Sequence, residues 1–292
     1  MTASRRNAVR SPQDTADPDT ADAVVARRAG HSATLWRAMH SELIKLRTLR
    51  SNLWLSGAAI AFLVVLGPVQ VLGSVLAESE RATVDSADAV STALTGATTS
   101  TLLVGVLGVL LVAGEYAPRA IRTTFLTVPR RPVVVVAKAV ALTLLTGVVG
   151  TIAITSAVTV STAVLARGDL HVTWTSPHVL RVSVAMVWYL VGWGILGLAA
   201  GWVTRSKIGG AALLLTVMLV LAPVLGLIPG RVGEVVVALM PSSAGAAMVS
   251  TRPATDIAGI TVDLPAFGFV VWTSYLVIAT VIASVVVSRR DA

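Results

Sequence analysis

The chain has 292 residues, of which 55% are hydrophobic and 13% charged, and its net charge is +8. Ordinary soluble domains carry about a quarter charged residues, so a water-soluble globular class is excluded. The basic residues lie between apolar segments rather than in one polar domain, which argues against nucleic acid as a partner, and the absence of cysteine removes disulfides and thiolate metal sites.

Residues 1–33 open with "MTASRRNAVRSPQDTADPDTADAVVARRAG", a polar run without the apolar core of a secretory signal. By composition they read as a disordered cytoplasmic tail. "TLWRAMHSELIKLRTLRS" (residues 34–51) comes next. At about 100° per residue, Leu35, Trp36, Met39, Leu43, Leu46 and Leu49 share one arc, while Arg37, Lys45 and Thr48 point elsewhere. Glu42 and Arg50 intrude on that stripe. A basic amphipathic helix carrying a tryptophan lies in the plane of the membrane interface, and Trp36, Arg37, Glu42, Lys45 and Arg47 are its candidate functional residues. The competing reading, a cytoplasmic extension of the first span, fits the stripe less well.

A helix needs about 20 apolar residues to cross about 30 Å of hydrocarbon. Within residues 53–288, six uncharged runs meet that length: Leu53–Ala77, Ala89–Gly114, Ala139–Ala166, Val182–Thr204, Ile208–Gly230 and Leu264–Ser288. A seventh, Val235–Thr251, has 17 residues and is interrupted by "MPSSAG", so a re-entrant or surface helical hairpin is expected there. With six spans, 18 of the 23 Lys and Arg residues fall on one side. Nine precede the first span, five lie between Glu115 and Lys138, two are in "TRSK" and two in "SRRDA". That side is the cytoplasm by the positive-inside rule, so both termini, including residues 289–292, are cytoplasmic and the hairpin is extracellular. The expected fold is an all-α integral protein of the cell membrane.

Within the spans, "GWGILGLAAG" contains a formal GxGxxG at Gly192, Gly194 and Gly197, but a dinucleotide site needs a strand before it and a helix after it. Close helix packing through Gly197 and Gly201 is the better explanation. Trp54 and Trp202 are expected at the inner interface and Trp174 outside, with Trp188 and Trp193 packed deeper. No Asp, Glu, Lys, Arg or His occurs inside the six runs, which counts against a proton-driven transporter. The Ser and Thr residues of "TLLTGVVGTIAITSAVTVST" are accounted for by bonds to their own helix carbonyls. The dipeptide GK is absent, as are HExxH and GxSxG, and His31, His40, His171 and His178 fall on opposite sides. No hydrolytic, metal or redox site emerges.

"GEYAPRAIRTTFLTVPRRPVVVVAK" joins the second and third spans. Each of its basic residues would cost about 3 kcal/mol at the bilayer centre, so the loop belongs in the cytoplasm. Glu115 precedes Arg119 by four residues, the order and spacing of a helical ion pair; the alternative is that Pro118, between them, begins a new helix. Ile121 and Phe125 share one side of the segment, with Arg119, Arg122 and Thr123 opposed. Pro129, Arg130, Arg131 and Pro132 close it, and Lys138 is placed to snorkel back to the surface.

In that loop, together with "SELIKLRTLRS", "TRSKIGGAA", "MPSSAGAAM" and "SRRDA", the chain resembles the permease subunits of type-2 ATP-binding-cassette (ABC) exporters, in their actinobacterial form. The likeness extends over Ser41–Ala292. Relatives carry a glycine between the Tyr and Ile of the loop, where "APRA" stands here. The resemblance implies six spans, with residues 34–51 as the elbow helix and the loop as a cytoplasmic coupling helix. Glu115, Arg119, Arg122, Arg130 and Arg131 would grip a separate ABC ATPase, and Tyr116 and Phe125 would anchor the loop to the membrane beside Thr123. It further implies a second permease subunit, as homodimer or heterodimer, and no cofactor on this chain, ATP and Mg being held by the ATPase. On that basis the chain is expected not to be an enzyme and to move an unidentified substrate by alternating access. A secondary transporter and a non-transporting sensor or scaffold subunit are the alternatives.

Overall fold

The computed structural model describes residues 36, 39–46, 50–76, 97–116, 131–166, 177–250 and 254–289. A short helix α1 (residues 39–46) leads to α2 (Arg50–Leu76), α3 (Ala97–Tyr116), α4 (Arg131–Leu165) and α5 (Pro177–Thr204). After a two-residue turn comes α6 (Lys207–Leu225), whose middle, Thr216–Val220, is a π-helical turn. Two short helices follow, α7 (Gly230–Ala238) and α8 (Pro241–Val249), then β1 (Ala254–Ile257), β2 (Ile260–Asp263) and α9 (Leu264–Arg289).

Among the described residues five helices are long and apolar enough to cross a membrane: α3, α4, α5, α6 and α9. The bent pair α7–α8 would make a sixth if it formed one span, and α2 contains a shorter apolar stretch, Leu53–Val69. In lipid every backbone polar group must be satisfied within the chain, and helices do so segment by segment. Large apolar side chains point outward, among them Val148, Ile152, Leu213, Leu219, Val277 and Val281. Such a surface suits lipid and not water.

The helices alternate in direction. One buried cluster gathers Leu46 of α1, Leu111 of α3, Val134 and Val135 of α4, Trp202 of α5 and Val287 of α9. Another, toward the opposite end, gathers Val104 of α3, Ile154 and Val158 of α4, and Val179 and Val182 of α5. The helix ends that adjoin the basic connections therefore meet at one end of the bundle.

The tightest seam joins α3 and α5. A methyl group added at Gly197 would overlap the carbonyl of Gly105, and one at Gly108 would overlap that of Gly194. Gly201 lies against the Val109 carbonyl. Small residues let two backbones touch, and the close packing that results is one of the forces that associate helices in lipid. Threonines of α4 bond to their own helix as expected, Thr146 donating to Leu142 O and Thr159 to Thr155 O, each at 2.7 Å, whereas the buried Ser161 Oγ has no partner among the described residues. Trp202, expected near the inner interface, is fully buried two residues before the end of α5, while Trp54 is exposed. Trp174 lies outside the described residues.

The hairpin expected over Val235–Thr251 is two helices meeting at 71°, and it begins earlier, at Gly230. Pro241 sits in the first turn of α8, where its missing N–H costs no hydrogen bond. The ribbon β1–β2 corrects the all-α expectation. Its two-residue turn, Ala258 and Gly259, has positive φ at both positions (55° and 86°), the twist that suits a tight antiparallel hairpin. Glu234 Oε2 accepts from Ala258 N at 3.2 Å and Asp256 Oδ1 from Gly259 N at 2.7 Å, holding the non-glycine residue in place.

Candidate functional site

Four charged side chains meet where α1, the end of α3 and the start of α4 come together. Lys138 Nζ donates to Glu42 Oε2 at 2.6 Å and to Glu115 Oε1 at 2.9 Å. Lys45 Nζ donates to Glu42 Oε1 at 2.8 Å and to Glu115 Oε1 at 2.9 Å. Two cations and two carboxylates thus close a ring in which each lysine touches both acids. Lys138 is 0% exposed and Glu42 2%, so only mutual neutralisation makes their burial tolerable. Glu115 Oε2 is buried too, with no partner among the described residues.

Each sequence element puts its residue there for a plain reason. Glu42 and Leu46 are one turn apart on the same face of α1, so the face that buries Leu46 also buries Glu42. What intruded on the apolar stripe is the acid that α4 requires. Glu115 is the penultimate residue of α3, and Lys138 lies two turns inside α4. Lys138 therefore does not snorkel to the surface as expected: two carboxylates reach it where it stands. The amine of Lys45 is only partly buried. Burial pulls its pKa down, but the hydrogen bond and charge of Glu42, and then those of Glu115, raise it above the ordinary 10.5.

That shift has a sign. A lysine whose folded pKa is raised contributes stability that is complete below the unfolded value and is lost as pH rises through the folded value. The stability difference between the wild type and Lys45→Met should accordingly stay constant from neutral pH up to the ordinary lysine range and shrink only above it. Thermal unfolding in detergent across an alkaline pH series checks this.

Tyr116, expected to anchor the loop at the membrane, packs against the turn between α5 and α6. Its ring meets Trp202 edge-on, with centroids 6.1 Å apart and planes at 86°. Arg205 Cζ stands 5.3 Å from the centre of the same ring. Arg205 takes a left-handed conformation (φ 53°), which ends α5 abruptly, and Ser206 Oγ accepts from Gly209 N at 3.2 Å to start α6.

Of the other candidate residues, Trp36 is exposed. Arg37, Arg47, Arg119, Arg122, Thr123, Phe125 and Arg130 lie outside the described residues, as does the side chain of Arg131. The helical pair of Glu115 with Arg119 falls there as well. Neither the ionic role of Lys138 nor the link between Glu42 and Glu115 is evident in the sequence. The available signal was an acid within an apolar stripe, which demands a cation from another segment.

Chemically the ring offers neither a nucleophile nor an open metal site, and among the described residues no group of three or more His, Cys, Asp or Glu could hold a metal ion. What it offers is mechanical. The segment 117–130 leaves α3 one residue beyond Glu115 and enters α4 two turns before Lys138, so both of its stems are tied to α1, and one stem is also tied to the α5–α6 turn through Tyr116. No protein-family model matches the sequence, and a search of curated proteins gave no match.

Proposed function

We infer that this chain is the transmembrane permease subunit of an ATP-driven ABC exporter, working by alternating access when a separate ATPase binds ATP. In this reading α2 is the first of six crossings; its 27 residues would reach about 40 Å at 1.5 Å per residue. Helix α1 is the elbow, segment 117–130 carries the coupling helix, and α7–α8 form the extracellular hairpin. Both termini face the cytoplasm, a second permease subunit completes the transporter, and ATP and Mg stay on the ATPase.

The observation that supports it best is the ring of Glu42, Lys45, Glu115 and Lys138 at the base of that segment. A partner pressing on 117–130 would pass its displacement to α1 through the ring and to α5 and α6 through Tyr116, so one contact would move several helices. The arginines of the segment suit an acidic partner surface, because hydrogen-bonded charge pairs give such a contact its strength and register.

The test uses the whole chain with an ABC ATPase encoded beside it. Alone, the chain should hydrolyse no ATP; reconstituted together, it should change the ATPase rate, and scrambling Glu115–Arg131 should abolish co-purification. Retained binding after scrambling would refute the coupling role. Since the chain has no cysteine, single substitutions report sidedness cleanly. Arg122→Cys should be labelled only from the cytoplasm and Ile260→Cys, in the exposed β2 strand, only from outside.

A further inference from the structure

At the end of the bundle away from the ionic ring, α4, α5, α8 and α9 border an open groove of about 940 Å³. Its walls are mainly apolar, with Leu180, Val184, Trp188, Pro265 and Phe269 among them. Leu180 is 63% exposed, Val184 60% and Phe269 50%. These exposed side chains belong to helices of membrane-spanning length, so the groove opens sideways toward lipid.

One lining residue is charged. Arg181 stands one turn inside α5, where its guanidinium donates to Met248 O at 3.3 Å and to Ser250 O at 2.6 Å. Both acceptors are neutral carbonyls at the end of α8, and no carboxylate of the described residues pairs with Arg181. Among the described residues its charge is thus unneutralised, one turn from the start of α5 and next to the uncharged run that begins at Val182, the level at which lipid phosphates lie. Two bonds leave most of the five guanidinium N–H donors unspent, in a fork whose geometry matches phosphate. From Pro177 to Trp188 the groove follows α5 for about 16 Å at 1.5 Å per residue, roughly the depth of one leaflet.

We propose that this groove holds one acidic phospholipid of the leaflet at that end, with its phosphate on Arg181 and an acyl chain along Val184, Trp188 and Phe269. The proposal rests on the membrane placement of the bundle and is independent of the exporter reading. A zwitterionic lipid of the same chain length would fill the groove equally well but would bring no net negative charge to Arg181.

The experiment is native mass spectrometry of the full chain in detergent, titrated with phosphatidylglycerol and with phosphatidylcholine of matched chains. The wild type should retain phosphatidylglycerol about fivefold more tightly, the preference one basic residue gives near a membrane surface. Arg181→Gln should erase the preference and Arg181→Lys should keep most of it. Val184→Trp, which fills the groove and leaves the charge, should weaken both lipids. Lys207→Gln, at the opposite end, should change neither. Equal retention of the two lipids by the wild type would overturn the proposal. So would a preference that survives Arg181→Gln, or one that Lys207→Gln reduces as much, since general basic charge would then account for it.

Discussion

Replacing Lys138 with methionine should destabilise the protein by about 3–5 kcal/mol, the usual cost of removing one partner from a buried ionic group. Methionine fills much the same volume, so lost packing contributes little. What remains is Glu42, almost wholly buried, and Glu115, facing each other with only the partly exposed Lys45 between them. The diagnostic comparison is the triple variant Glu42→Gln, Glu115→Gln, Lys138→Met. It removes the three more buried charges together and leaves only Lys45, whose side chain is 38% exposed and can turn to water; most of the lost stability should return, because a neutral, well-packed replacement of a buried ionic group is often tolerated. Thermal midpoints in one detergent would show the order wild type, triple, single. A single variant as stable as the wild type would mean that Lys138 is not enclosed as described. In the exporter reading the triple variant carries a second expectation: it folds, yet transmits ATPase turnover to transport poorly, because α1 is no longer tied to the stems of segment 117–130.

The second large effect is expected at the seam of α3 and α5. Gly197→Leu should cost about 3 kcal/mol or more, since the new side chain must enter space held by the Gly105 carbonyl and nothing there can rotate away. Gly147→Leu is the control, because no heavy atom lies within 4 Å of an added Cβ at that position. The control should express and melt like the wild type, apart from a small change in helix propensity. Similar losses at both positions would show that the seam is not what sets the stability.

The helices were legible because hydropathy and length alone separate a bilayer-crossing segment from the rest, and the runs from Ala89, Ala139, Val182, Ile208 and Leu264 each contain most of a helix of that kind. Gly197 and Gly201 were legible as a packing face, since their spacing puts them on one side of a helix. Gly105 and Gly108 were not, because a contact has two faces and spacing describes one. The same asymmetry hid the ionic ring. Glu42 and Lys138 are 96 residues apart, and only the fold brings them to 2.6 Å. The ribbon was missed for a different reason. Ile257, Ile260 and Val262 do alternate around "AG", but the alanine in that turn is a residue that seldom adopts positive φ, and it is held there by Glu234 from another helix.

With only Arg205 and Ser206 linking them, α5 and α6 cannot separate at that end, any more than the arms of tweezers can part at the bridge. A splay of α6 away from α5 would therefore widen toward the opposite end. Between the arms, walled also by α9, lies a cavity of about 310 Å³ that touches Trp193, Leu214, Val217 and Tyr275. Its volume is accordingly set by the splay of two helices that share a fixed pivot.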